Sequence, residues 1–196
     1  MFNWLKKLYD WVLHWAETPY AVPALIFLAV AESSFFPIPV DVLLIALAIS
    51  IPRRSFEYGF YTSLFSVLGG VGGYLIGFKF MELIGWPIIE IYGYQAQYQS
   101  LSLKFQEYNF LAVFTAALTP IPYKVFTITA GAMKGEFVEF LVASAIGRSL
   151  RFFAVATLIY FFGEPVKGFI EKYFNVLTII FVVLLIGGFV LIKYIF

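Results

Sequence analysis

The sequence FPIPVDV at residues 36–42 recurs as TPIPYKV at residues 119–125. Each copy lies within a strongly apolar stretch, and each has a charged residue two positions after its second proline. Proline removes a backbone hydrogen-bond donor and breaks a helix, and in hydrocarbon a freed backbone group is costly unless protein or water satisfies it. Two proline-broken apolar segments at corresponding positions in two halves are typical of the binding site of a transporter. We therefore expect four prolines to form the tips of two hairpins: Pro37, Pro39, Pro120 and Pro122.

The composition predicts an integral membrane protein. Hydrophobic residues make up 62% of the 196 residues and charged residues 13%, whereas soluble domains are about 45–50% apolar and about 25% charged. The absence of cysteine excludes disulfides, thiolate catalysis and cysteine metal sites, and the single histidine, His14, excludes a multi-histidine site. No basic tail or basic-aromatic patch is present to track the phosphates of a nucleic acid. We expect no metal, no cofactor and no nucleic-acid partner.

The hydrophobic pattern predicts one all-α membrane domain built from two inverted repeats. Each repeat is a Pro-broken re-entrant hairpin followed by a transmembrane helix, the first at residues 20–78 and the second at residues 109–163. The polar triplet at residues 32–34 interrupts the apolar stretch that starts at residue 20. Pro87 breaks a short apolar piece within the polar linker at residues 79–108, which also carries an amphipathic helix. If each hairpin returns to its own side and each long helix crosses once, the hairpins enter from opposite faces. The alternative is one long helix kinked at the prolines.

Two further segments flank the repeats. Residues 1–18 have apolar side chains at helical spacing, which indicates an amphipathic helix in the membrane interface or, equally, a cap packed on the bundle. Residues 175–193 are almost wholly apolar and predict an extra C-terminal transmembrane helix without a second copy.

Glycines in the first long helix follow GxxxG spacing at Gly69, Gly73 and Gly77. Such spacing lets helix backbones approach closely. We expect this helix to pack against a hairpin through these positions.

Five ionisable residues lie within apolar segments, where charges usually face a bundle interior or a water cavity and pair with one another. They are two acids and three bases: Glu32, Asp41, Lys124, Arg148 and Arg151. If all were ionised, the net charge of +1 would suit an anion such as a phosphate, which arginine binds through bidentate hydrogen bonds. One interpretation is that the acids neutralise the bases in buried pairs that fix the fold. The other is that at least one acid exchanges a proton during transport.

These residues resemble the DedA superfamily, the bacterial relatives of the SNARE-associated Golgi or VTT-domain proteins. The resemblance rests on the acidic Pro-x-Pro block at residues 32–41, the glycine-rich segment at residues 69–77 and the stretch at residues 114–131 with its own prolines. The motif TPIPYKVF at residues 119–126 and the downstream Gly147-Arg148 are most similar to the YqaA-like branch.

The resemblance covers residues 20–163 and implies two re-entrant hairpins that face each other and an activity that moves lipids across the bilayer. It implies undecaprenyl phosphate as the lipid of bacterial members and phospholipids as those of eukaryotic relatives, with proton motive force needed in some members. The acidic pair of the family corresponds to Glu32 and Asp41. The second hairpin of the family often carries arginines, where this chain has only Lys124 as the nearest base, and Arg148 and Arg151 would supply the positive charge from another helix.

We therefore expect a multi-pass lipid translocase, of flippase or scramblase type, in a prokaryotic cytoplasmic (inner) membrane. Its partners would be lipids with an anionic phosphate headgroup, protons and, in a homo-oligomer, a second copy. We do not expect an enzyme, because the sequence has no evident nucleophile–base pair or carboxylate-rich metal cluster. The alternative is a proton-coupled transporter of a small soluble solute, whose path would open only to water and not sideways to lipid.

Overall fold

The computed structural model describes residues 18, 20–36, 39–163 and 165, and every regular element within them is helical. Two helical runs are long and apolar enough to cross a membrane, Pro52–Tyr92 and Phe137–Gly163. The expectation of an all-α membrane protein is confirmed at this level. The predicted C-terminal helix at residues 175–193, and all but residue 18 of the predicted N-terminal helix, lie outside the described residues.

The first proline-broken segment forms a pair of short helices, α1 (Ala21–Ser34) and α2 (Val40–Ser50). At 1.5 Å per residue they are about 21 and 16 Å long, and neither could cross a hydrocarbon core of about 30 Å. Buried residues of both helices share one core cluster, so α1 and α2 pack against each other. The polar residues 32–34 that end the apolar stretch form the last three positions of α1. Helix α1 continues through them because the serine hydroxyls are satisfied: Ser33 bonds Ser66 at 2.6 Å and Ser34 donates to the Gly69 carbonyl at 2.8 Å.

The first long helix extends well beyond the predicted end of its repeat. After a 3-10 turn at Pro52–Arg54, α3 (Ser55–Phe80) leads through a π-helical segment, Met81–Gly85, into α4 (Trp86–Tyr92). Pro87, expected to break this region, lies in the first turn of α4. The missing N–H is tolerated there because the π segment has already departed from the regular i→i−4 ladder. The predicted linker therefore begins as a continuation of the spanning helix.

The polar part of the linker forms a separate helix. Gly93 ends α4 in the left-handed conformation, with φ of 70°, which glycine adopts without steric cost. Helix α5 (Gln95–Glu107) follows, as the spacing of its apolar side chains predicts.

The second proline-broken segment repeats the arrangement of the first. Helices α6 (Asn109–Leu118) and α7 (Tyr123–Ala132) have 10 residues each, about 15 Å, and share a core cluster. The long helix α8 (Phe137–Gly163) follows.

The long helices α3 and α8 run in opposite directions. Near the start of α3, the Phe56 ring lies 5.1 Å from that of Tyr160 in the last turns of α8. Near the end of α3, the Tyr74 ring lies 5.1 Å from that of Phe140 in the first turn of α8. The α1–α2 pair packs with the first of these ends and the α6–α7 pair with the second.

The glycines of α3 lie where the two hairpins meet this helix. A Cβ at Gly69 would overlap the Val30 carbonyl of α1, and a Cβ at Gly77 would overlap the Ile128 carbonyl of α7. Gly73 lies between them, against Thr127 of α7 and the backbone of α1. One face of α3 therefore contacts the backbones of both hairpins directly, and only glycine, which has no Cβ, allows so close an approach.

Candidate functional site

At each proline break, a backbone carbonyl at or just past the end of a helix binds a cation from elsewhere in the chain. Carbonyls in these positions have no partner within the helix. Phe36 precedes Pro37, and its carbonyl accepts a hydrogen bond from Lys124 Nζ at 3.0 Å. Thr119 precedes Pro120, and its carbonyl accepts a hydrogen bond from Nη1 of Arg151. The two equivalent positions of the repeat are thus satisfied in the same way.

The prolines position these termini. Pro39 and Pro122 are the residues immediately before α2 and α7, both with extended backbone, so each second helix starts directly after its break. Pro120 lies between α6 and α7. Pro37 lies outside the described residues.

Asp41 and Arg151 form an ion pair that joins the first hairpin to α8. The Arg151 Nη2 donates to Asp41 Oδ2 at 2.8 Å and its Nε to Oδ1 at 3.3 Å. Because the same guanidinium also donates to the Thr119 carbonyl, it connects Asp41 to the break of the second hairpin. The two side chains remain 16% and 22% exposed, so this pair is accessible from outside the protein core.

Glu32 and Arg148 form a second ion pair with a different environment. Arg148 Nη2 donates to Glu32 Oε2 at 2.7 Å, and its Nε donates to the Ser66 hydroxyl at 2.5 Å. A weaker bond joins Nη2 to the Ser33 hydroxyl at 3.3 Å. The Arg148 side chain is only 1% exposed. A buried charge is tolerated when its partners are in place, and Arg148 has the Glu32 carboxylate and two hydroxyls as acceptors.

Two aromatic rings complete the Arg148 site. The guanidinium carbon lies 4.7 Å from the centroid of the Tyr123 ring and 4.6 Å from that of Phe152. Cation–π contact with two rings in a desolvated site stabilises the charge where it is and restricts its movement. Arg148 therefore fixes α8 to α1, α3 and α7, whereas Arg151 is the arginine that another anion can reach.

The structure thus brings all five predicted charges into one region between the hairpins and α8, as two ion pairs and one cation on a carbonyl group. The sequence analysis did not identify the hydroxyls of Ser33 and Ser66, the carbonyls of Phe36 and Thr119, or the ring of Tyr123 as members of the site. Polar side chains in the last turn of α1 and in the middle of α3 were visible signals for the two serines. No sequence signal identifies a backbone carbonyl as a ligand for a distant side chain.

Among the described residues, no group of three or more histidine, aspartate or glutamate side chains could hold a metal ion.

Known proteins resemble this chain over most of its length. The family model of the VTT domain matches residues 38–161. An uncharacterised protein of Haemophilus influenzae is 36% identical over 186 residues, which is 95% of this chain and 96% of the relative. An uncharacterised protein of Histophilus somni is 35% identical over 151 residues, which is 77% of this chain and 78% of the relative. No solved structure matches the chain.

Proposed function

Because the chain belongs to the VTT-domain family of the DedA superfamily, and is thus a membrane protein, we propose that it moves lipids across the bilayer. The cargo is a lipid with a phosphate headgroup, either a polyprenyl phosphate such as undecaprenyl phosphate or a phospholipid. The membrane is the cytoplasmic membrane of a prokaryote, in keeping with the bacterial relatives. The lipid is transported and not chemically changed.

The proposal includes a topology in which the two hairpins are re-entrant and the repeats are inverted. Its support is that α1, α2, α6 and α7 are each too short to span the membrane, while α3 and α8 are long enough and run in opposite directions. Under this topology the proline breaks meet near the middle of the bilayer, and α3 and α8 cross beside them in opposite directions.

The observation that carries the proposal is the Asp41–Arg151 pair. A charge in the apolar part of a membrane protein usually marks a transport path or a proton relay. This pair is partly exposed, lies at the break of the first hairpin and, through the Thr119 carbonyl, also contacts the break of the second. A guanidinium in such a place is a binding group for a phosphate, because it offers two parallel N–H donors.

Proton uptake by Asp41 would couple the pair to transport. With a proton on its carboxylate, Asp41 no longer provides a counter-charge, and the Arg151 guanidinium is free to donate to the phosphate oxygens instead. The lipid tail stays in the hydrocarbon while the headgroup passes between the hairpins. Release of the phosphate and loss of the proton restore the ion pair. Lys124 stays on the Phe36 carbonyl and adds positive charge beside this route.

The test is lipid movement in liposomes that contain the purified full-length protein, with undecaprenyl phosphate or phospholipid as cargo, with and without a pH gradient. Asp41→Asn should abolish movement, whereas Glu57→Gln, which removes an acid from the exposed pair with Arg54, should leave it unchanged. If the wild-type protein moves neither lipid, the lipid proposal is rejected and transport of a soluble solute becomes the function to test. If Asp41→Asn moves lipid normally, proton coupling through Asp41 is rejected.

A further inference from the structure

A cavity separate from the charged cluster lies at the far end of α3. Its volume is about 220 Å³, and it opens between the π-helical segment, α4, α5 and the turn that joins α7 to α8. Phe78, in its wall, is twelve residues beyond Ser66 along a continuous helix, which is about 18 Å from the Arg148 site. Aromatic, thioether and charged side chains line it: Phe78, Met81, Glu82, Trp86, Tyr98 and Lys134.

Lys134 has an unusual backbone conformation at this cavity. Its φ is 53°, the left-handed region that ordinarily favours glycine or asparagine, and it is the sole non-glycine residue of the described chain with positive φ. The turn is held in place by hydrogen bonds from α5: Tyr98 donates to the Ala132 carbonyl at 2.7 Å and Ser102 to the Met133 carbonyl at 2.6 Å. The left-handed conformation closes the C-terminus of α7, with the Lys134 N–H donating to the Gly131 carbonyl at 3.1 Å and the Gly135 N–H to the Ala130 carbonyl at 2.8 Å, and it thereby fixes Lys134 beside the cavity.

The opposite wall is also irregular. The π-helical segment Met81–Gly85 widens the helix beside the cavity, and single π turns within α-helices frequently lie at functional sites. Glu82 in this segment is already paired with Lys79 at 2.7 Å. Lys134 forms no ion pair within residues 39–163 but interacts electrostatically with Glu82 across the cavity. Lys79, Glu82 and Lys134 together leave one net positive charge here.

We propose that this cavity binds the phosphate of a lipid headgroup at the membrane surface, with Lys134 as its cation. Lys79 lies in the last turn of α3 and Glu82 just past it, where the spanning helix meets the polar linker. Tryptophan and tyrosine are enriched at this depth because their rings are apolar and their N–H or O–H groups are polar. The Trp86 and Tyr98 rings meet edge to face at 5.8 Å and form an amphipathic wall against the glycerol and upper acyl region. A soluble anion would gain nothing from that wall.

The site stands independently of the transport proposal, because its test measures binding and not movement. Full-length protein in detergent is titrated with phosphatidylglycerol, and retained lipid is measured by native mass spectrometry. Lys134→Gln should weaken retention about tenfold or more, as expected for loss of a hydrogen bond to a charged group. Lys104→Gln removes the same charge from α5, outside the cavity lining, and should match the wild-type protein.

Lys134→Gly separates binding from folding. Glycine relieves the left-handed backbone, so this variant should unfold at the same temperature as the wild-type protein or higher, yet it should lose lipid retention as Lys134→Gln does. Retention unchanged in both Lys134 variants would overturn the proposal. Displacement of the lipid by millimolar inorganic phosphate would assign the site to a soluble anion and would also overturn it.

Discussion

The two ion pairs of the charged cluster should respond very differently to loss of the acid. Glu32→Gln and Asp41→Asn are the same chemical change, carboxylate to carboxamide, at two pairs of nearly equal length, 2.7 and 2.8 Å. They differ in burial, because the Arg148 side chain is 1% exposed and that of Arg151 is 16% exposed. Burial therefore decides the size of the effect.

The expected magnitudes follow from what each arginine retains. In Glu32→Gln the amide oxygen can still accept from Arg148, but the guanidinium is 1% exposed and is left desolvated without a counter-charge, a loss of about 3–5 kcal/mol. In Asp41→Asn, the amide oxygen still accepts from Arg151, and the Thr119 carbonyl and water remain available to the guanidinium. Replacing one charge-assisted hydrogen bond with a neutral one costs about 1 kcal/mol. The difference of about 2–4 kcal/mol corresponds to about 4–16 °C in Tm for a chain of this size.

The assay is thermal unfolding of the full-length protein in lipid nanodiscs, followed by tryptophan fluorescence. Glu57→Gln serves as the control, since both members of its pair with Arg54 are well exposed and no measurable shift is expected. Equal losses of Tm in Glu32→Gln and Asp41→Asn would refute the reasoning, because burial would then not distinguish the pairs. A stable Glu32→Gln variant would show that Arg148 does not need its acid.

Two further predictions concern packing and the surface helix. Gly77→Ala should destabilise the protein by about 1–3 kcal/mol, because the overlap of the added methyl group with the Ile128 carbonyl outweighs the better helix propensity of alanine. Gly72→Ala is the control, because the nearest atom to its added methyl group is a hydroxyl oxygen at 3.2 Å. It should be close to neutral in the same unfolding assay. Tyr98→Phe should lower the free energy of unfolding by about 1 kcal/mol at neutral pH through loss of the bond to the Ala132 carbonyl. Burial raises the pKa of Tyr98 in the folded state. The stability that this group contributes should therefore be complete below about pH 10 and lost as the pH rises through the raised pKa. Unfolding measured against pH should show this loss for the wild-type protein and not for Tyr98→Phe.

The broken segments and their charges could be located from the sequence because both signals are local. A Pro-x-Pro motif interrupts a helix wherever it occurs, and an ionised side chain within an apolar stretch is visible without knowledge of its partner. The all-helical architecture follows from the same apolar stretches. The match of residues 38–161 to the VTT domain confirms the family that these motifs resemble.

The pairing could not be predicted in the same way. Glu32 binds an arginine 116 residues away and Asp41 one that is 110 residues away, so the choice of partner depends on how the helices pack. The sequence treated Arg148 and Arg151 alike because three residues separate them on one helix face. In the structure, Arg148 contacts the rings of Tyr123 and Phe152, whereas Arg151 is partly exposed. Tyr123 lies on a different helix, so the sequence around the arginines does not reveal this contact. The inclusion of residues 32–34 in α1 likewise could not be predicted, because the partners of the serine hydroxyls on α3 are distant in sequence.

The long-range partners of the first hairpin have a consequence for biosynthesis. A ribosome adds about 5–20 residues per second, so roughly 5–20 s pass between synthesis of Asp41 and synthesis of Arg151. During that interval the carboxylates of the first hairpin and the Phe36 carbonyl have none of the cations that bind them in the finished protein. In the proposed re-entrant topology, these uncompensated charges favour a nascent hairpin that stays in water or against the insertion machinery until the second half of the chain arrives.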